Sequence, residues 1–97
     1  MTIEDFESYD DEGNRIYDTW LDGWVNDTGS TVGYMDAPFA EQSIVNSGNQ
    51  SMPLFYDNAG TSISEAEIAL TQNWTDSGIK SLAIAFQGAA GNTGQLY

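Results

Sequence analysis

Gln50-Ser-Met-Pro-Leu-Phe-Tyr56 alternates in character: Met52, Leu54 and Tyr56 fall on one side, Ser51, Pro53 and Phe55 on the other. The next five residues, Asp57-Asn-Ala-Gly-Thr61, have turn chemistry, because Asn and Gly tolerate positive φ and Asp bonds its own backbone. Alternation then resumes, with Ser64, Ala66, Ile68 and Leu70 opposite Glu65, Glu67 and Ala69. Beyond Trp74 and a Thr-Asp-Ser-Gly turn, Leu82, Ile84 and Phe86 form one more apolar face, opposite Ala83 and Ala85. A period of two repeated along residues 50–86 predicts β-strands. Pro53 has no N–H to give to a ladder, so its strand is expected at an edge or a bulge.

Working outward, residues 2–9 predict a short first strand anchored by Phe6, and Asp10-Asp-Glu-Gly-Asn14 a charged turn. A helical turn fits residues 15–21, where Ile16, Trp20 and Leu21 recur at helical spacing. Residues 25–33 are rich in Asn, Asp, Thr, Gly and Ser and predict an exposed loop. Short strands are expected at 31–35, broken at Gly33, and at 40–45, with a proline-fixed turn at Asp36-Ala-Pro-Phe39 between them. Gly88-Ala-Ala-Gly-Asn-Thr-Gly94 is a flexible turn, after which Gln95-Leu-Tyr97 looks like the opening of a further strand. The expectation is a single all-β domain over residues 1–97, an antiparallel β-sandwich incomplete at its C-terminus and cut from a longer exported chain. The sequons at Asn26, Asn49 and Asn73 are matches expected by chance in an Asn-rich chain.

Composition narrows the functions. Fifteen acidic residues stand against Arg15 and Lys80, a net charge of −13. Such a surface repels phosphate backbones and anionic membranes, which argues against nucleic-acid partners. No apolar run is long enough to span a bilayer, so no membrane insertion is expected. Cys and His are absent, which removes thiol nucleophiles, Ser-His-Asp triads and nearly every zinc or copper site. Twelve aromatic residues in 97 argue for a packed domain despite the acidity.

Asp5-Phe-Glu-Ser-Tyr9, then Trp20 and Trp24, Gly48-Asn-Gln-Ser-Met-Pro-Leu-Phe-Tyr56, Trp74-Thr and residues 82–88 occur in that order. Together they resemble the jelly-roll β-sandwich of LamG-like domains and galactose-binding-like carbohydrate-binding modules in large exported bacterial proteins. The resemblance runs from Asp5 onward through nearly the whole chain. It implies a jelly roll, an extracellular or cell-surface setting, neighbouring domains on the same polypeptide, and recognition of a glycan or cell-surface polysaccharide without catalysis. It also implies a structural calcium held through a Glu in the first strand, the place that Glu7 occupies; a solvated acidic turn is the plainer alternative.

The residues are compatible with sugar binding, which needs flat aromatic faces beside amide and carboxylate partners. Trp24, Tyr34, Gln42 and Phe55 are the candidate carbohydrate contacts. Trp24 and Tyr34 flank the polar loop and stand between platform and core, whereas Trp74 reads as a core or corner aromatic. Phe55, on the side away from Met52 and Leu54, is either an exposed platform or a contact for strands not present. Glu65 and Glu67 share a strand face, as paired catalytic carboxylates would, but a glucanase needs a longer chain and a deep cleft. A structural or protein-interaction spacer and an accessory part of a polysaccharide hydrolase remain the alternatives.

Overall fold

A computed structural model describes residues 2–71 and 73–95. The elements in chain order are helix α1 (Ile16–Thr19), helix α2 (Gly23–Asn26), strand β1 (Ser30–Val32), strand β2 (Leu54–Tyr56) and a 3₁₀ turn at Trp74–Ser77. β1 and β2 pair antiparallel with Thr31 opposite Phe55, and isolated bridges join Leu21 to Glu67 and Glu41 to Ser51.

The expected jelly-roll sandwich is therefore corrected. Among the described residues there is a single two-stranded sheet, where a sandwich needs two sheets packed face to face. The physical reason lies in what the backbone bonds to. Polar side chains take backbone N–H and C=O groups that a ladder would use, a competition with sheet formation. Glu4 accepts from the Phe6 N–H and Asp5 from the Glu7 N–H, and Phe6 sits at φ 65°, so the predicted first strand is a turn. The Glu65 carbonyl accepts from Ser30 Oγ and Asn26 Nδ2, leaving Glu67 alone of the 64–70 segment in a bridge. The 82–86 segment keeps its alternation but has no partner among the described residues. Leu96 and Tyr97, expected to open a further strand, lie outside the described residues.

The local elements follow from their caps. In α1 the Asp18 carboxylate accepts the Arg15 N–H at 2.9 Å, and Ile16 is driven fully into the core. In α2 Asp22 is the N-cap, accepting the Trp24 N–H, and Asp27 ends the helix in the left-handed region. Gly23 is required there, since a Cβ would run into the Thr28 and Ser30 carbonyls. β1 stops at Gly33, whose φ of +83° turns the chain out of the strand.

The register fixes which backbone groups face which way. Gly33 donates to the Pro53 carbonyl and Asp57 donates to the Gly29 carbonyl, each at 2.9 Å. Hydrogen-bonded pairs alternate along an antiparallel ladder, so Pro53, Phe55 and Asp57 point their backbones at β1. Leu54 and Tyr56 point theirs at the outer edge. Tyr9, Ile16, Val32 and Ala40 form the buried core, with Phe6, Trp20, Phe39, Met52 and Ala66 packed around it. Ser30 and Val32 face that core, which turns Thr31 and its partner Phe55 to the opposite, outer face.

Candidate functional site

Trp24 is the most conspicuous side chain on that outer side: 81% of it is exposed. Three constraints hold it there. The Asp22 cap starts the helical turn that projects it, the Gly23 approach pins that turn against β1, and the indole Nε1–H donates to Thr31 Oγ1 at 3.2 Å. The ring stands between two open clefts. One, of about 420 Å³, is largely aromatic and is shared with Tyr17, Tyr34, Met35 and Phe39. The other, of about 360 Å³, is lined by Gly23, Thr28, Gly29, Thr31, Thr61 and Asp57.

Tyr34 is fixed by its own contacts. Its N–H donates to the Phe39 carbonyl at 2.9 Å, closing the loop between them, and its hydroxyl donates to Glu41 Oε1 at 3.0 Å. That bond to a carboxylate, more than partial burial, raises the Tyr34 phenol above its usual range. Phe55 meets the Tyr34 ring edge-on, with centroids 5.8 Å apart. Tyr17 and Phe39 make a second edge-to-face pair at 5.2 Å. Such pairs hold aromatic walls in a definite relation.

Among the residues expected to touch sugar, Trp24 and Tyr34 thus line one cleft and Phe55 buttresses Tyr34 from the neighbouring strand. Gln42 lies outside the cleft. It is exposed, and its N–H donates to the Glu41 carboxylate that also holds Tyr34. Tyr17, Thr31, Met35 and Phe39 join the cleft without having been singled out. Asp22 also lines it, yet it is buried, and its two oxygens accept from the Trp24 and Val32 N–H groups at 3.1 and 2.8 Å. An Asp immediately before Gly-Trp is an N-cap signal, which could have flagged it.

Glu7 is elsewhere. Its Oε1 accepts the Asn49 and Gln50 N–H groups at 2.9 and 3.1 Å, and Oε2 accepts Asn49 Nδ2 at 3.2 Å. These bonds, led by the Asn49 backbone, hold the carboxyl below its ordinary range. Gly48 makes the clamp possible: its φ is +73°, and a Cβ would strike the Glu7 carboxylate. Among the described residues no group of three or more His, Cys, Asp or Glu is gathered to hold a metal ion. Glu67 Oε1 accepts from Asn26 Nδ2 at 3.1 Å, tying the 65–67 segment to α2.

No protein-family model, curated protein or solved structure matches this chain.

Proposed function

We propose that the chain is a non-catalytic carbohydrate-binding or adhesion module that takes a neutral glycan against Trp24. The observation that carries this is the indole itself: an exposed ring bonded to Thr31 on a turn set by Asp22 and Gly23, with a cleft shared with Tyr17, Tyr34 and Phe39 on one side and a cleft lined by Thr28, Thr61 and Asp57 on the other. A pyranose presents C–H faces to aromatic rings and hydroxyls to polar neighbours such as Asp57, so it suits an exposed indole between these clefts. The net charge of −13 disfavours polyanionic sugars. Asp22 supports a binding role over a catalytic one, because both its oxygens are held by backbone N–H groups. The setting that goes with this function is extracellular or at the cell surface, beside other domains of the same polypeptide. Among the described residues no helix is long and apolar enough to cross a membrane.

Titrating tryptophan fluorescence with a panel of neutral soluble glycans tests it. A saturable change is expected with at least one glycan. Trp24→Ala should weaken that binding by roughly tenfold or more. Because Trp24 is so exposed, the same variant should unfold within about 0.5 kcal/mol of the parent. Silence across the panel would remove the proposal, and release of reducing ends would favour a hydrolase instead.

A further inference from the structure

The chain has two basic residues, Arg15 and Lys80, and the fold treats them in opposite ways. Arg15 is the N-cap of α1. Its N–H donates to Asp18 Oδ2 and its carbonyl accepts the Asp18 N–H, both at 2.9 Å. Its guanidinium lies 4.0 Å from the same carboxylate. Ile16, on the far side of the Arg15–Ile16 bond, is 0% exposed. That peptide bond is locked into a helical turn with its second residue in the core.

Lys80 stands in open chain. The 3₁₀ turn before it ends at Gly78, in the left-handed region at φ +69°, and every residue from Ile79 to Gly88 is exposed. Among the described residues no hydrogen bond is made anywhere from 79 to 88, and Lys80 makes no ion pair. The chain meets the body again at Gly94, where an added Cβ would lie 3.6 Å from the Tyr56 ring. The span between Gly78 and Gly94 is open to solvent. Proteases bind unpaired, extended backbone in their own clefts, so exposed and unbonded chain is where a folded protein is cut.

Charge selects the class of protease. An enzyme that reads a basic side chain holds a carboxylate at the base of its specificity pocket, and acidic neighbours of the lysine would repel it. All fifteen acidic residues lie at or before Asp76, so none follows Lys80 and none is within three residues before it. We propose that Lys80–Ser81 is a processing site, at which a lysine-reading serine protease divides the folded chain. The protease hydroxyl attacks the Lys80 carbonyl, and the Ser81 nitrogen leaves, protonated, as a new amino terminus. Water then cleaves the acyl-enzyme and leaves a carboxylate on Lys80. Residues 1–80 keep every acidic residue, the core of Tyr9, Ile16, Val32 and Ala40, and both Trp24 clefts. Residues 81–97 depart without a charged side chain. Lys80 lines neither cleft, so the inference is independent of what they bind.

Brief digestion of the folded full chain with a low level of trypsin, followed by mass spectrometry, tests the accessibility. An early cut after Lys80 is expected. The Arg15–Ile16 bond should be cut more than about a hundredfold more slowly, because it waits on the opening of α1. In the urea-unfolded chain the two bonds should be cut at comparable rates, which assigns the preference to the fold. Lys80→Gln should abolish the early cut and Lys80→Arg should keep it. The 1–80 fragment should retain the circular dichroism of the parent. Mass spectrometry of the protein from the cells that make it, and from their medium, should show a species ending at Lys80. Survival of the Lys80–Ser81 bond in the folded chain would overturn the proposal, as would equally fast cutting at Arg15. A 1–80 fragment that unfolds would place the bond inside the folding unit and overturn it. So would native material that is intact across residues 80 and 81.

Discussion

Replacing Asp22 by alanine removes two contacts that are physically different. The first is the helix cap on the Trp24 N–H at 3.1 Å; losing such a cap costs about 0.5–2 kcal/mol. The second is the 2.8 Å bond from the Val32 N–H, which lies at a residue 2% exposed and so is left dry and unsatisfied. An orphaned buried donor of that kind costs about 1–3 kcal/mol. Asp22 is itself only 6% exposed, so solvent screening gives little discount. Neighbouring contacts share geometry and do not add strictly, so the two losses together come to about 2–4 kcal/mol. At an urea m-value of roughly 1–2 kcal/mol/M, the unfolding midpoint should fall by about 2 M. Asp22→Asn keeps one acceptor oxygen and should fall between parent and alanine. The tryptophan response to glycan should weaken in the alanine variant even under conditions where it is folded, since the turn carrying Trp24 has lost its cap. A midpoint shift below about 0.3 M would show that water satisfies Val32 and that Asp22 does not hold the site.

Glu7→Gln should lower stability near neutral pH by weakening the clamp on Asn49 and Gln50. The Glu7 carboxyl is depressed from its ordinary 4.5, so its contribution is present above that value and is lost as pH falls through the folded value. Acid titration of unfolding should therefore be flatter in the glutamine variant. Its melting temperature should drop equally in calcium and in chelator, because three N–H groups already occupy the carboxylate; a drop seen only with calcium would restore Glu7 as a ligand. The Tyr9 phenol is raised above its ordinary 10.0, chiefly by burial and then by its bond to Glu4 Oε2. A raised value means stability that is full below about pH 10 and declines as pH rises beyond it. Tyr9→Phe should cost about 1 kcal/mol at pH 7 and flatten the alkaline limb of a denaturation series.

Local features of this chain were readable wherever one residue dictates them. The spacing of Ile16, Trp20 and Leu21 placed a helical turn at 15–21, and α1 lies inside it. Gly33 was read as a strand break and takes positive φ. Long-range pairing was another matter. A period of two at 64–70 and 82–86 reports which side chains share a face, but it does not name a partner strand. The decisive contacts there run from Ser30 and Asn26 to the Glu65 carbonyl, across more than thirty residues. For the candidate site, adjacency to a polar loop pointed to Trp24 and Tyr34. The wall they share depends on the Tyr34 turn back to Phe39 and on Phe55 from β2, neither of which leaves a mark in local sequence. Gln42 offers an amide, but its neighbour Glu41 is the residue that reaches Tyr34.

Pro53 has a consequence for how the small sheet assembles. It stands opposite Gly33 at a hydrogen-bonding position, accepting one bond and offering none. Were β2 to slide two residues one way, the proline would come opposite Thr31 and open a gap in the middle of the ladder. A slide the other way would pair residues beyond Gly33, where the chain has already turned away from the strand. A slip of one residue would turn Leu54 and Tyr56 to the outer face and bury Phe55. Each misalignment is thus rejected by a different residue. Three residues of strand, too few to find their place by hydrogen bonding alone, are left with a single alignment into which they can close.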